Sequence, residues 1–220
     1  MMNNPFLFAL FCFMAFFISS CTTSRLEEQV NLPFNLSEGE AVVIIANSYH
    51  SGNQTEYDFI QCINKSLSKK QNSFNVLPTE DFQNMLYPWL EPRTAPQTPE
   101  DLPQLLSRVL VRETMETHNV KYLINISGET KTNSSSGALS CAAGPGGGGC
   151  FGLAWWDDTS SYSASVWDIA QESSVGSVSA TVSGTSVIPA LIIPIPIIAR
   201  TKSSACNGLV TQLLKFFSTS

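Results

Sequence analysis

The side chains able to do chemistry in this 220-residue chain are few and scattered. Its two histidines, His50 and His118, have no nucleophile motif such as GxSxG to work with, so neither has the partner that acid–base or covalent catalysis needs. His50, in a turn near the C-terminal end of a strand, is the better catalytic candidate, and both read as surface residues. Asp157, Asp158 and Asp168 offer carboxylates to a cation but lack calcium-loop spacing, and they read as turn caps. The glycine-rich run from Ser140 to Cys150 has the composition of a phosphate cradle without the Lys-Ser/Thr ending or the following helix. It reads as a loop tip pinned by its two cysteines. The chain is therefore expected to be no enzyme and to hold no metal or cofactor.

The cysteines carry more information. Pro5 to Ile18 is apolar and uncharged and ends in Ser19 and Ser20, as a secretory signal over residues 1–20 does. At roughly 14 residues it is short of the ~20 that a helix needs to cross hydrocarbon. Ile18-Ser19-Ser20-Cys21 resembles the lipobox of bacterial lipoproteins, which implies cleavage before Cys21 and acylation of its thiol. One departure is the stretch Met1 to Asn4, which has no Lys or Arg. Several acyl chains, each buried methylene contributing ~0.8 kcal/mol, would hold the protein on a membrane stably. Thr22 stands where an Asp would retain such a protein at the inner membrane, so the resemblance implies an outer-membrane anchor facing the periplasm.

With Cys12 lost in the signal and Cys21 acylated, Cys62, Cys141, Cys150 and Cys206 form an even set in an oxidising compartment. Four cysteines allow three pairings. Cys141–Cys150 is favoured because it closes the glycine run, and Cys62–Cys206 because it would staple two helices. Zinc is the rival reading, without a CxxC or a nearby His to support it. A net charge of −6 and scattered Lys and Arg argue against a nucleic-acid partner.

The elements that must position these groups follow from periodicity. About 200 residues remain after the signal, enough for a single domain over 41–220, with 21–40 as a mobile polar tether. Ala41-Val42-Val43-Ile44-Ile45-Ala46 is an unbroken apolar run suited to a strand covered on both faces or central in a sheet. Asn53 and Glu56 have capping-box spacing ahead of a helix carrying Phe59, Ile60, Ile63 and Leu67. Phe74 to Leu77 reads as a strand, and Thr79 opens a brief helix. After five prolines between Pro88 and Pro103, a helix buries Leu102, Leu105, Leu106, Val109 and Leu110. Lys121 to Thr130 is a strand, a long loop follows, and Tyr162 to Ile169 and Val175 to Thr185 form a hairpin. In the last of these, Val178, Ala180 and Val182 alternate with Ser and Thr, which marks one buried and one solvated face. A C-terminal helix presents Cys206, Leu209, Val210, Leu213, Leu214 and Phe217. The expected fold class is α+β, two-layer, with a mixed sheet of about five strands and helices packed on one face.

In this order AVVIIA, NVLPTEDF, NVKYLINISGET and ASVWDIAQESSVGSVSATVSG resemble the α/β domain shared by the TolB N-terminal domain, CsgG and the lipoprotein activators of penicillin-binding proteins. The resemblance covers roughly residues 41 to 217. It brings no catalytic residues, and it implies binding or scaffolding in the cell envelope. A CsgG-like pore would need hairpins of ~9–11 alternating residues per strand, and neither 133–160 nor 187–199 reads that way.

Two apolar stretches are the candidate contact surfaces. Phe151, Leu153, Trp155 and Trp156 follow the glycine run and either pack on the domain or meet a partner or membrane. Val187 to Ala199, with Leu191, Ile192, Ile193 and Ile195 and broken by Pro189, Pro194 and Pro196, is expected to fold back over an open sheet edge or to serve as a docking strip. The function expected is a membrane-anchored, non-catalytic accessory module that binds another envelope protein, its oligomeric state open; the alternative is a subunit of a CsgG-like secretion or transport assembly.

Overall fold

A computed structural model of the chain describes residues 22–32, 34, 36–46, 55–70, 74–91, 94, 96 and 99–218. Among them lie six strands and five helices. In chain order these are β1 (Thr22–Val30), β2 (Ala41–Ala46), α1 (Tyr57–Lys70), β3 (Asn75–Leu77), α2 (Thr79–Met85), α3 (Leu102–Leu106), α4 (Val109–Thr117), β4 (Val120–Gly144), β5 (Gly147–Asp168), β6 (Ser173–Ile192) and α5 (Thr201–Ser218). The strands form one mixed, open sheet in the order β1-β6-β5-β4-β2-β3, an α+β fold as expected.

Two compact units make up this chain. The larger comprises 24–131, 159–183 and 200–220, and the smaller 1–23, 132–158 and 184–199. In the larger unit β2 pairs in parallel with β3 and with β4, Val42 facing Val76 on one side and Tyr122 on the other. Parallel neighbours require crossovers, and the helices between these strands supply them.

An all-apolar strand must be covered on both faces, and β2 is. Val42 and Ile44 share a core with Ile63 and Leu67 of α1 and Leu209 and Leu213 of α5. Ala41, Val43 and Ile45 share a second core with Phe82 of α2, Leu105 of α3 and Met115 of α4. The helices are thus divided between the two faces, and at β2 the expected two layers become three. Phe34 stacks on Tyr122 and on Phe217 at centroid distances of 4.2 and 4.5 Å.

Three elements differ from the sequence reading. Thr22–Val30, taken as part of a tether, is edge strand β1; its side chains are nearly all exposed, so no apolar period announces it. The expected helix over 101–110 breaks between α3 and α4, which leaves Val109 and Leu110 exposed while Val111 and Met115 take the buried positions. The largest difference is the long loop placed before Tyr162. Residues 131–144 and 147–161 are strand, and β4 and β5 run for 25 and 22 residues around a turn at Pro145-Gly146.

Candidate functional site

In the smaller unit the strand pairing is fixed by backbone approach. Gly137 at φ +91° lies so close to β5 that a Cβ there would sit 2.0 Å from the Leu153 carbonyl oxygen. Gly152 at φ +143° lies as close to Ala138, where a Cβ would meet the carbonyl oxygen at 2.2 Å. Only glycine accepts both the backbone angle and the space. On the other side of β5, Thr185 of β6 donates to Asp157, and Gly149 lies beside Ile192. Pairs thus advance along one strand as they retreat along its neighbour, so the three strands are antiparallel.

This register sorts the side chains by face. Successive residues of a strand point to opposite faces, so Phe151, Leu153 and Trp155 share one; on β4 Ser140 stands across from Phe151, while Leu139 pairs with Gly152 on the other face. The burial of β5 alternates accordingly from Cys150 to Trp155, and Phe151 is 73% exposed. The sequence reading missed this alternation because glycine and alanine hold the intervening positions, where they give no contrast of polar against apolar. Trp156 turns to the other face, half-buried, and donates its Nε1–H to Asp158 at 2.9 Å. Trp155, Leu191, Ile192, Ile193 and Ile195, expected as contact residues, are all exposed, Leu191 by 78%.

The Val187–Ala199 segment does fold back over a sheet edge. Val187 and Ile197 exchange both backbone hydrogen bonds at 2.8 Å, and the Ala199 N–H donates to the buried Ser186 hydroxyl at 3.0 Å. Folding back does not bury it, because Ile193 remains 72% exposed.

Both favoured disulfides are present: Cys141–Cys150 across the β4–β5 hairpin and Cys62–Cys206 between α1 and α5. The acids act as hydrogen-bond acceptors within the fold. Asp157 accepts from the hydroxyls of Ser134 and Thr185, which hold its carboxyl below the usual range. Asp158 accepts from Thr132, and Asp168 caps the β5–β6 turn by accepting the Gln171 N–H at 2.9 Å. His118 is exposed at the end of α4. Cys21, His50 and the capping residue Asn53 lie outside the described residues.

One polar cluster of the larger unit was not visible in the sequence. Glu56, at the start of α1, accepts the Tyr162 hydroxyl at 2.7 Å and the Thr130 N–H at 3.0 Å, with the Lys202 ammonium 3.8 Å away. Ser160 links Thr130 to Thr201 by hydrogen bonds of 2.8 and 2.9 Å. Phe59 stacks on the Tyr162 ring at 3.5 Å. Burial, with the Glu56 carboxylate adding to it, drives the Tyr162 phenol well above its ordinary pKa. Bonded to the Glu56 carboxylate and the Thr130 hydroxyl, Tyr162 ties α1, β4 and β5 together, and Ser160 extends the network to α5. Glu56 and Tyr162 are 106 residues apart, and no local spacing could have joined them. Among the described residues no group of three or more His, Cys, Asp or Glu is placed to hold a metal, and no helix is long and apolar enough to cross a membrane.

These features define a class: an α+β protein with an open mixed sheet, three of whose strands extend into a second unit where β5 and β6 expose apolar side chains. No family model and no curated protein matches the chain. Among solved structures it is similar to the PelC dodecamer from Paraburkholderia phytofirmans, at 10% identity and a TM-score of 0.41 over 91% of this chain and 99% of that one. A point variant of the same PelC dodecamer gives 12% identity and a TM-score of 0.42 over 91% and 100%. At this distance the likeness assigns no function.

Proposed function

We propose that this chain is a non-catalytic accessory protein of the bacterial cell envelope, anchored to the outer membrane by acyl chains on Cys21 and facing the periplasm. It engages another envelope component through the apolar face of its smaller unit. The observation that carries this reading is the clustered exposure of Phe151, Leu191, Ile192 and Ile193 in a chain whose larger unit buries most of its apolar side chains in two cores. Apolar surface held in water gains ~25 cal/mol per Å² when it is covered, and a contiguous patch of it marks a contact site. Two disulfides suit a compartment outside the reducing cytosol, and the lipobox resemblance supplies the anchor. A non-catalytic role is supported by the acids and the buried Tyr162, which are engaged with one another or with neighbouring hydroxyls. The second reading, a subunit of a secretion or transport assembly, gains from the paired strands found where the sequence suggested a loop.

A photoreactive side chain placed at Leu191 in living cells tests the proposal, with the exposed Lys65 of α1 as the control position. Discrete adducts at Leu191 and none at Lys65 are expected. No adduct at Leu191 to protein or to lipid contradicts the reading.

A further inference from the structure

We propose that Cys141–Cys150 is a thiol–disulfide exchange site, opened by a dithiol carried on another protein, and that Cys62–Cys206 is a permanent cross-link. The step is a two-electron exchange: the donor's dithiol is oxidised to a disulfide, and the hairpin disulfide is reduced to two thiols.

The two disulfides stand in opposite surroundings. Cys206 is fully buried in the core that α5 shares with β2 and β6, and Cys62 packs against that core from α1. Cys141 is exposed and Cys150 half-buried at the end of the β4–β5 hairpin. Between them lie five glycines with Ala142, Ala143 and Pro145, so no large side chain within the tip screens the sulfurs. Exchange proceeds by attack of a thiolate on a disulfide sulfur, so access decides which pair reacts, and exposed disulfides are the labile ones.

The sheet fixes the direction of attack. A thiolate approaches in line with the S–S bond, from behind the sulfur it attacks. Cys141 and Cys150 are joined across β4 and β5, so the line through their bond leaves over β4 on one side and over β6 on the other. On the β6 side, Ile192 stands beside Gly149. On the β4 side, β2 accompanies β4 only as far as Ile126, and no described strand pairs with it beyond that point. Attack therefore falls on Cys141 Sγ. A bond forms from the donor's thiolate to Cys141, and the electron pair of the S–S bond leaves on Cys150, which takes up a proton. The donor's second thiol then attacks its own sulfur in the mixed disulfide and releases Cys141, which takes up the second proton.

The activated nucleophile belongs to the donor. From Asn133 to Trp156 the chain has no Asp, Glu, Lys, Arg or His, so no basic group of that stretch lowers the pKa of a thiol, and no acid of it repels an approaching thiolate. The hairpin is thus the electron acceptor. Gly137 and Gly152 hold the approach of β4 and β5 by backbone contacts of their own. The strands keep their register when the bond opens, so the two thiols stay opposed and the bond re-forms under an oxidant. Exchange loosens the tip and is reversible.

The test exposes the full chain, folded and without denaturant, to excess dithiothreitol, with iodoacetamide quenching at intervals and mass mapping of the cysteines. Alkylation of Cys141 and Cys150 is expected to run about tenfold or more ahead of that of Cys62 and Cys206. A brief pulse of glutathione stopped by acid should leave the adduct on Cys141 and a free thiol on Cys150. In hydrogen exchange, the chain reduced at this pair should gain over residues 142–149 and stay unchanged over Val120–Ile126. Equal rates at the two disulfides, earlier opening of Cys62–Cys206, a glutathione adduct on Cys150, or faster exchange over Val120–Ile126 overturns the proposal.

Discussion

Along β6 in the larger unit, Val178, Ala180 and Val182 alternate and all three are buried in a core shared with α5. Along β5 in the smaller unit, Phe151, Leu153 and Trp155 alternate with the same period and all three are exposed. The difference lies in what stands against each face. Among the described residues, the larger unit contains every helix and the smaller only strands, their turns and the return after β6. A period of two therefore tells which side chains share a face, and the presence of an element to cover that face decides whether it is core or contact surface.

The disulfides follow the same division, and removing them one at a time should give the largest effect. Cys62–Cys206 closes a separation of 144 residues and Cys141–Cys150 one of 9. Chain-entropy arithmetic gives about 5 kcal/mol for the first and about 2.5 kcal/mol for the second. Denaturant unfolding of Cys62→Ser, Cys206→Ser beside Cys141→Ser, Cys150→Ser is expected to rank them in that order. Equal losses would mean that the unfolded chain is already held together near α1 and α5 by other contacts.

Truncation of one apolar side chain in each unit sharpens the contrast further. Leu209, fully buried between β6 and its helix neighbours, should lose about 2–5 kcal/mol on Leu209→Ala. Phe151→Ala should change stability by no more than about 0.5 kcal/mol, because its ring is already in contact with solvent. Urea midpoints of the two variants check this, and a loss at Phe151 as large as at Leu209 would show that its ring is packed.

Much of the larger unit was legible in the sequence because its signals are local. The unbroken apolar run of β2, the Ser/Thr alternation in β6, the stripe on α5 and the two cysteine pairings all appear where expected. What escaped depends on pairing rather than on period. Strand β1 is polar on both sides and exists because β6 offers it an edge. The break between α3 and α4 falls at Ser107-Arg108, where the Arg108 guanidinium sits 4.0 Å over the Trp89 ring, a contact with a residue that spacing alone could not supply. Around Gly137 and Gly152 the chain reads as loop composition, yet glycine is what allows β4 and β5 to approach there. The residue types pointed to Trp155, Leu191, Ile192, Ile193 and Ile195, and all five are exposed. That Phe151, Leu153 and Trp155 share one face of β5 was visible only once β4, β5 and β6 were paired.

Hydroxyl-radical footprinting of the full chain, purified in detergent-free solution and in the envelope membranes of the cells that make it, tests the central claim most directly. Oxidation of Phe151, Leu191 and Ile193 should be strong in solution and suppressed in the membranes, while Leu209 and Ile63 stay protected in both. Equal oxidation of the three in the two preparations would contradict the account.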